Sequence, residues 1–385
     1  MSTDSVQCAA DKIARMCAAP RGVVALWQDA SAVLAEVVPY YRTPCWFTVD
    51  PASLLMTSHY HFGMDEFPSA WLAAEYCEDD VQSVPAVIRS RTGLSTLHEA
   101  ADGDPSRSPR WQRNRTLGGD QELITRLCTR SGETWGALTL YREEGAQLFT
   151  DKEKAFLHEI SPVLAGGARR ALLYGQATEP EYADSPGLLV LDDEWNIESA
   201  TPGVDRWMAD LPGGDWASGE LPVSVIALAA RVLHSVECHQ PGEIALSRVL
   251  SRSGAWLALH GACLSSTRRR RVAVIIEPAH PSRLYPLLMS AYGLTEREKE
   301  VTAMVLQGSS TSQISAALSV SAYTVQKHLD SIFAKTGVRS RRDLVSTVFF
   351  RHCEPRLRDN EKRTVADRPV RGGPWPTDFP GDVGR

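Results

Sequence analysis

Residues 321–338 read SAYTVQKHLDSIFAKTGV, and the spacing within this stretch decides how the rest of the chain is read. Val325, Leu329, Ile332 and Phe333 recur at helical intervals and form one apolar stripe. Tyr323, Gln326, Lys327 and Asp330 fall together on the opposite face. Ser321 stands where a helix N-cap belongs. Just upstream, LTEREKEVTAMVLQG (294–308) opens on Thr295 with Glu298 three positions later, the pattern of a capping box, and closes on Gly308. TSQISAAL (311–318) predicts a short helix, and LSVS (318–321) turns the chain. A short helix, a tight turn and a second amphipathic helix with a polar outer face is the helix-turn-helix plan. Its second helix enters the major groove of double-stranded DNA. Lys335, Arg339, Arg341 and Arg342 follow at once, placed to hold phosphates.

Residues 294–351 hold eight Lys/Arg against five Asp/Glu, a local charge of +3, so the rest of a chain of net charge −6 carries −9. The sign suits a DNA-binding end on an otherwise acidic body. Asp330 beside Lys327 runs against that trend. Three readings of it stay open. It restrains Gln326 or Lys327 at helical spacing. It accepts a hydrogen bond from cytosine N4 while Gln326 reads adenine. Or it repels phosphate at wrong sites.

The ordered series L-T-E-R-E-K-E-V, G-S-S-T-S-Q-I-S, S-x-x-T-V-Q-K-H-L and K-T-G-V-R-S-R-R-D-L-V resembles the LuxR-type DNA-binding domain, without a gap over about 294–346. The resemblance implies a four-helix fold in which Thr324, Val325 and His328 form the helix scaffold. It turns Gln326, Lys327 and Asp330 toward DNA, and it puts Ser321, Tyr323 and Arg341 on the DNA backbone. In the family, the positions of Gln326 and Asp330 are often basic, so base preference departs here.

Outward from this end, 286–351 reads helical throughout. RVAVIIEP (271–278), AWLALHGACL (255–264) and EIALSRVL (243–250) predict a three-strand meander. Helices are expected at 203–210 and 223–238, and GLLVLDDEWNIESA (187–200) reads as a strand pair turning at Asp192-Asp193. QATEPEYADSPG (176–187) is a linker. Further upstream, DKEKAFLHEISPVLAGGARRALLYG (151–175) predicts a long helix that Pro162 kinks or restarts. ELITRLC and TWGALTLYR, joined by TRSGE, predict a hairpin. HEAADGDPSRSPRWQRNRTLGGD (98–120) reads as a long exposed loop, and its arginines, with Arg89 and Arg91, as a solvated basic surface. A helix is expected at 71–80, strands at 45–50 and 54–60, and a helix at 23–38. The Pro/Gly-rich residues 352–385 are expected to be disordered.

WGALTLYREEGAQLFTDKEKAFLHEISPVLAGGARR resembles the last strand and closing helix of GAF-type sensor domains. With CWFTVDPASLLMTSHY and EYCEDDV, it is similar to the N-terminal half of actinobacterial LuxR-type regulators. GLLVLDDEWNIESATPGVDRWM resembles the opening of a PAS domain. The expected architecture is multidomain α+β. A GAF-like sensor domain with N-terminal helices (1–178) and a PAS-like domain (179–283), both with antiparallel sheets, precede the all-α LuxR-type domain (284–351) and the tail (352–385). A phosphoacceptor receiver does not fit 189–214: Asp210 lies only 18 residues past Asp192, and a parallel βαβ step plus the next strand needs more than ~30.

Composition sets the outer limits. A hydrophobic fraction of 43% and a charged fraction of 23% are ordinary for a soluble globular protein. The eight cysteines stand at 8, 17, 45, 77, 128, 238, 263 and 353, with no C-x-x-C pair, which favours neither a structural zinc nor a disulfide framework and suits a reducing cytoplasm. No secretory signal opens the sequence, and no apolar run reaches the roughly 20 residues of a membrane span. A cytoplasmic location away from membranes is expected. His59, His61, Asp65 and Glu66 cluster in SHYHFGMDE, but no third ligand stands at a diagnostic spacing, so no metal or cofactor is expected. RRRR (268–271) reads as a strand turn, and Trp27, Trp46, Trp71, Trp111 and Trp135 as core.

No G-x-S-x-G, Walker loop, G-x-G-x-x-G or H-E-x-x-H motif is present, so a sensor enzyme is the weakest of three functional readings. A sigma-factor-like subunit would need a helical promoter-melting region upstream. The favoured expectation is a non-enzymatic transcriptional regulator. It would bind DNA as a homodimer, with RNA polymerase as a further partner and a small-molecule effector or protein contact acting on its sensor half.

Overall fold

The computed structural model describes residues 3–62, 68–174, 186–214, 216–237, 245–264 and 270–352, together with Arg363 and Val365. The linker at 176–185, nearly all of the tail beyond 352, Asp65, Glu66, Arg268 and Arg269 lie outside those residues, whereas Arg270 and Arg271 lie within them. The chain divides into two compact units, the first over 1–175, 185–252 and 257–277, the second chiefly over 278–385.

In the first unit the elements run α1 (Thr3–Ala18), α2 (Val23–Ala35), β1 (Cys45–Val49), β2 (Met56–Tyr60), α3 (Ser69–Cys77), α4 (Val84–Arg89), β3 (Leu94–Thr96), α5 (Leu97–Ala100), α6 (Pro109–Thr116), β4 (Gly119–Cys128), β5 (Thr134–Glu143) and α7 (Asp151–Tyr174). The five strands form one antiparallel sheet in the order β2-β1-β5-β4-β3. β1 and nearly all of β5 are buried on both faces, which requires helices on both sides. On one side Trp46 of β1 stacks on Trp27 of α2 with centroids 4.4 Å apart, and its indole donates to Ser31 Oγ at 2.9 Å. α1, α2 and α7 pack together over that face. The Gly166-Gly167 pair makes this approach feasible. A Cβ at Gly167 would sit 2.7 Å from Cys17 Sγ of α1 and 3.0 Å from Leu26 of α2. α7 is one helix that runs through Pro162.

The other side corrects the reading of 98–120 as an exposed loop. Asp104 and Ser108 each cap a helical turn that begins on a proline, a 3₁₀ turn at Pro105–Arg107 and then α6. Proline at the first helical position costs no hydrogen bond and is pre-set for helix. The two S/D-P steps were therefore helix starts, not loop signals. Arg110 correspondingly leaves the solvated surface. It is 7% exposed and forks onto Glu122 of β4, with Nε to Oε2 at 2.6 Å and Nη2 to Oε1 at 2.7 Å, while Nη1 pairs with Glu75 of α3.

The same unit continues with β6 (Gly187–Leu191), β7 (Ile197–Ala200), α8 (Val204–Asp210), α9 (Val223–Glu237), β8 (Ala245–Leu250), β9 (Trp256–Leu264) and β10 (Arg271–Pro278), which build a second five-stranded sheet in the order β7-β6-β10-β9-β8. Asp192 fixes the β6–β7 turn by accepting from the backbone N–H of Glu194 at 2.9 Å and of Asn196 at 2.8 Å. α9 is apolar nearly all round, as a helix enclosed on every side must be. It packs on α3 and β2 of the first sheet and on β8 of the second. One buried ion pair also crosses between the sheets. Arg248 of β8 donates from Nη2 to Asp50 Oδ1 at 2.6 Å, and from both Nε and its backbone N–H to Oδ2 at 3.0 Å. Asp50 directly follows β1 and its side chain is 1% exposed.

The described residues of the second unit from 281 to 352 form α10 (Pro281–Ala291), α11 (Glu296–Leu306), α12 (Thr311–Leu318), α13 (Ala322–Thr336) and α14 (Arg341–His352).

Candidate nucleic-acid interface

The helix ends of this unit are set by short polar side chains. Thr295 and Glu298 form the full capping box of α11. Ser310 and Gln313 form a second one on α12, which went unread although S-x-x-Q is its signature. Ser321 Oγ accepts from the Thr324 N–H at 3.0 Å to start α13, and Gly337, with φ 72°, ends it in the left-handed region. Between α12 and α13 the turn passes through Ser319 at φ 53°, held as Ser315 Oγ donates to the Val320 carbonyl at 2.5 Å.

Val325, Leu329 and Ile332 are buried and seat α13 on α11 and α12, with Phe333 half-buried beside them. The far side of α13 is open. Tyr323 is 71% exposed, Gln326, Lys327 and Asp330 are exposed, and Thr324 and His328 lie half-buried at the margin. Gln326 Nε2 donates to Asp330 Oδ1 at 2.9 Å, and Lys327 Nζ lies 5.5 Å from the centre of the Tyr323 ring. Asp330 thus restrains Gln326 rather than Lys327. Lys327 is steered by the ring.

The cations sort by partner. The three glutamates of α11 hold Lys299, Arg297 and Lys335: Glu296 pairs with Lys299 at 2.8 Å, Glu300 with Arg297 at 2.7 Å and Glu298 with Lys335 at 2.6 Å. Arg297 also donates to the Leu318 carbonyl at 2.7 Å, closing the end of α12, a locking role invisible in the linear sequence. Arg341 Nη1 donates to the Ser309 carbonyl at 2.6 Å, tying α14 to the α11–α12 connection. Arg339 and Arg342 are exposed next to it. Among the described residues of α13, α14 and the turn between them, the exposed cations with no acidic partner are Lys327, Arg339 and Arg342, with Arg341 half-buried. Lys335 is exposed but shares its ammonium with Glu298.

Glu298 is the keystone of this packing. Burial alone would push its carboxyl up. Lys335, the Ser331 hydroxyl at 2.6 Å and the Thr295 N–H at 2.7 Å outweigh burial and hold the carboxyl down to about 2. A folded-state value below the unfolded one of about 4.3 stabilises the fold at higher pH, and that contribution is lost as pH falls through the interval toward 2. Hydrogen-exchange protection on α11 and α13, taken relative to the intrinsic rate at each pH, should therefore fall between about pH 5 and pH 2 in the wild-type chain, and much less steeply in Glu298→Gln. Equal slopes in the two proteins would remove Glu298 from this role.

Residues 293–348 match the family model described as GerE, bacterial regulatory proteins, luxR family. Over 53 residues the chain is 47% identical to a monoamine regulon transcriptional regulator of Klebsiella aerogenes, a match that covers 14% of this chain and 23% of that protein. The chain thus spans under a quarter of the curated relative it matches. Among solved structures it is similar to the nlh2 GAF domain of A. aeolicus in an inactive state (13% identity, 42% of this chain and 94% of that one, TM-score 0.30). It is also similar to SdiA of Escherichia coli (10% identity, 88% and 94%, TM-score 0.29). The segment that runs from α11 into α14 is thus a LuxR-family helix-turn-helix domain over residues 293–348. No helix among the described residues is long and apolar enough to cross a membrane.

Proposed function

We propose that the chain is a sequence-specific transcriptional regulator. In this reading α13 enters the major groove, and the N-terminal unit biases DNA binding in response to a small molecule or a protein contact. The observation that carries it is the division of α13 into a buried seat, Val325, Leu329 and Ile332, and an open polar face, Gln326, Lys327 and Asp330, inside a segment that matches the luxR family. Ser321, Tyr323, Thr324 and His328 border that face. Arg339, Arg341 and Arg342, and Lys335 once released from Glu298, hold phosphates. The first sheet with its flanking helices is read as GAF-like and the second as PAS-like, over 1–178 and 179–283, ahead of the DNA-binding domain at 284–351. The protein acts in the cytoplasm as a homodimer on two half-sites, with RNA polymerase as a further partner. A sigma-factor-like role is disfavoured because two β-sheets occupy the region where a helical promoter-melting segment would be needed.

Phosphate contacts make affinity fall steeply with salt. Titrating an operator fragment with the intact protein at several salt concentrations should give a linear log–log plot, and Arg342→Ala should lower its slope by about one. A salt-independent affinity, or a slope unchanged in that variant, would exclude the proposed docking.

A further inference from the structure

We propose that the cavity between the facing edge strands β2 and β8 binds a small aromatic carboxylate, with Arg252 receiving the carboxylate and His59 and His61, backed by Phe47, receiving the ring. The cavity has a volume of about 530 Å³, within the range of small-molecule sites. β2 ends the first sheet and β8 ends the second. An edge strand carries a row of backbone groups that its own ladder does not use, so a gap between two edges is polar along its walls even where the side chains are not.

The side chains around this gap narrow the ligand class. Val23 and Val24 of α2, Leu172 of α7 and Val249 of β8 make an aliphatic wall suited to an apolar body. His59 is buried, and its ring stacks on Phe47 at 4.6 Å and 11°. His61 follows at 4.7 Å, continuing the column to a ring that lines the cavity. Burial, reinforced by His61, pushes the His59 imidazole down to about 3, so it is neutral at physiological pH and offers a flat polar surface without charge. Thr48, Thr57 and Ser58 add hydroxyls that already bond one another, Thr48 and Thr57 at 2.7 Å, and can exchange partners with a ring substituent. Among the described residues that line the cavity, Arg252 is the one permanently charged side chain. It is exposed, and its Nη2 donates only a long 3.3 Å bond to the Gly214 carbonyl. A single guanidinium at an otherwise neutral, ring-lined cavity selects one carboxylate on a flat apolar body.

The occupant would touch both sheets, so its binding would favour whichever arrangement of β2 and β8 closes on it. This consequence rests on the regulator reading above, whereas the binding itself does not. Calorimetry on the full-length protein without DNA tests it, using salicylate, 4-hydroxybenzoate, phenylacetate and indole-3-carboxylate, each beside its primary amide. At least one acid should bind at one site per chain, about tenfold or more tighter than its amide. Arg252→Gln should erase that preference, and Val24→Trp, a change at a half-exposed wall position, should abolish binding while the melting curve is kept. Failure of all four acids to saturate at ~10 mM would overturn the proposal. So would an unchanged acid-to-amide preference in Arg252→Gln or unchanged binding in folded Val24→Trp. DNA binding measured on the same preparations separates the two readings. DNA binding without any acid binding removes the site and keeps the regulator, whereas acid binding without DNA binding does the reverse.

Discussion

Replacing Arg110 with methionine should cost the N-terminal unit about 3–5 kcal/mol, the scale of removing one partner from a buried ion network. The guanidinium satisfies two carboxylates at once, Glu122 through a two-pronged contact and Glu75 through its third nitrogen, and Asn114 Nδ2 adds a bond to Glu122 Oε2 at 2.9 Å. Glu122 is 1% exposed. Methionine matches much of the volume but leaves both acids without their cation. The backbone of α6 is tied into the same site, because Asp80 accepts from the Arg110 N–H and from Ser108 Oγ, each at 2.7 Å. Chemical denaturation should therefore show a large drop in midpoint, partly restored when Glu75→Gln and Glu122→Gln are added. A loss below about 1 kcal/mol, the scale of an exposed pair, would show that the network is solvated instead.

Asp50→Ala should be comparably severe, at about 3–5 kcal/mol, but its signature differs. The carboxylate accepts three bonds from Arg248 and a fourth from the Ala52 N–H at 3.0 Å, so it fixes the turn after β1 and clamps β8 to it. Without it a buried guanidinium keeps its charge beside an empty turn, and the attachment between the two sheets falls mainly to α9. The melting transition should then broaden or split, with hydrogen exchange rising first along β2 and β8. A single transition shifted by less than about 1 kcal/mol would mean the clamp is dispensable.

The contrast between the two units explains what could be read in advance. The C-terminal helices are short-range objects. Caps lie within three residues of what they cap, and the Val325–Leu329–Ile332 stripe needs only helical periodicity, so the division of α13 into two faces was legible. So were the antiparallel meander of β8, β9 and β10 and the hairpin of β4 and β5. Among the arginines between 98 and 120, Arg110 departs from the solvated surface that composition suggests, whereas Arg107 is exposed. Asp104-Pro105 and Ser108-Pro109 are cap-plus-proline starts, and α6, which the second of them opens, carries the buried Arg110 shared by Glu75 and Glu122. Asp50 closes the expected strand at 45–50, but its partner stands 198 residues away and no local pattern encodes that pairing. The same holds for Arg297 on the Leu318 carbonyl and for the cavity between β2 and β8. Asp330 was open to three readings because spacing alone allowed it to reach either Gln326 or Lys327. The aromatic ring of Tyr323 drew Lys327 away and left Gln326 as its partner.

Lys327 stands on the open face of α13 outside the buried stripe, so its loss should remove DNA contact without unfolding the domain. Genome-wide occupancy of the intact protein and of Lys327→Ala, at matched expression and with matched melting curves, tests the central claim most directly. The intact protein should occupy discrete sites sharing a two-half-site sequence, and the variant should lose them. Occupancy unchanged by the substitution would contradict the placement of α13 in the major groove.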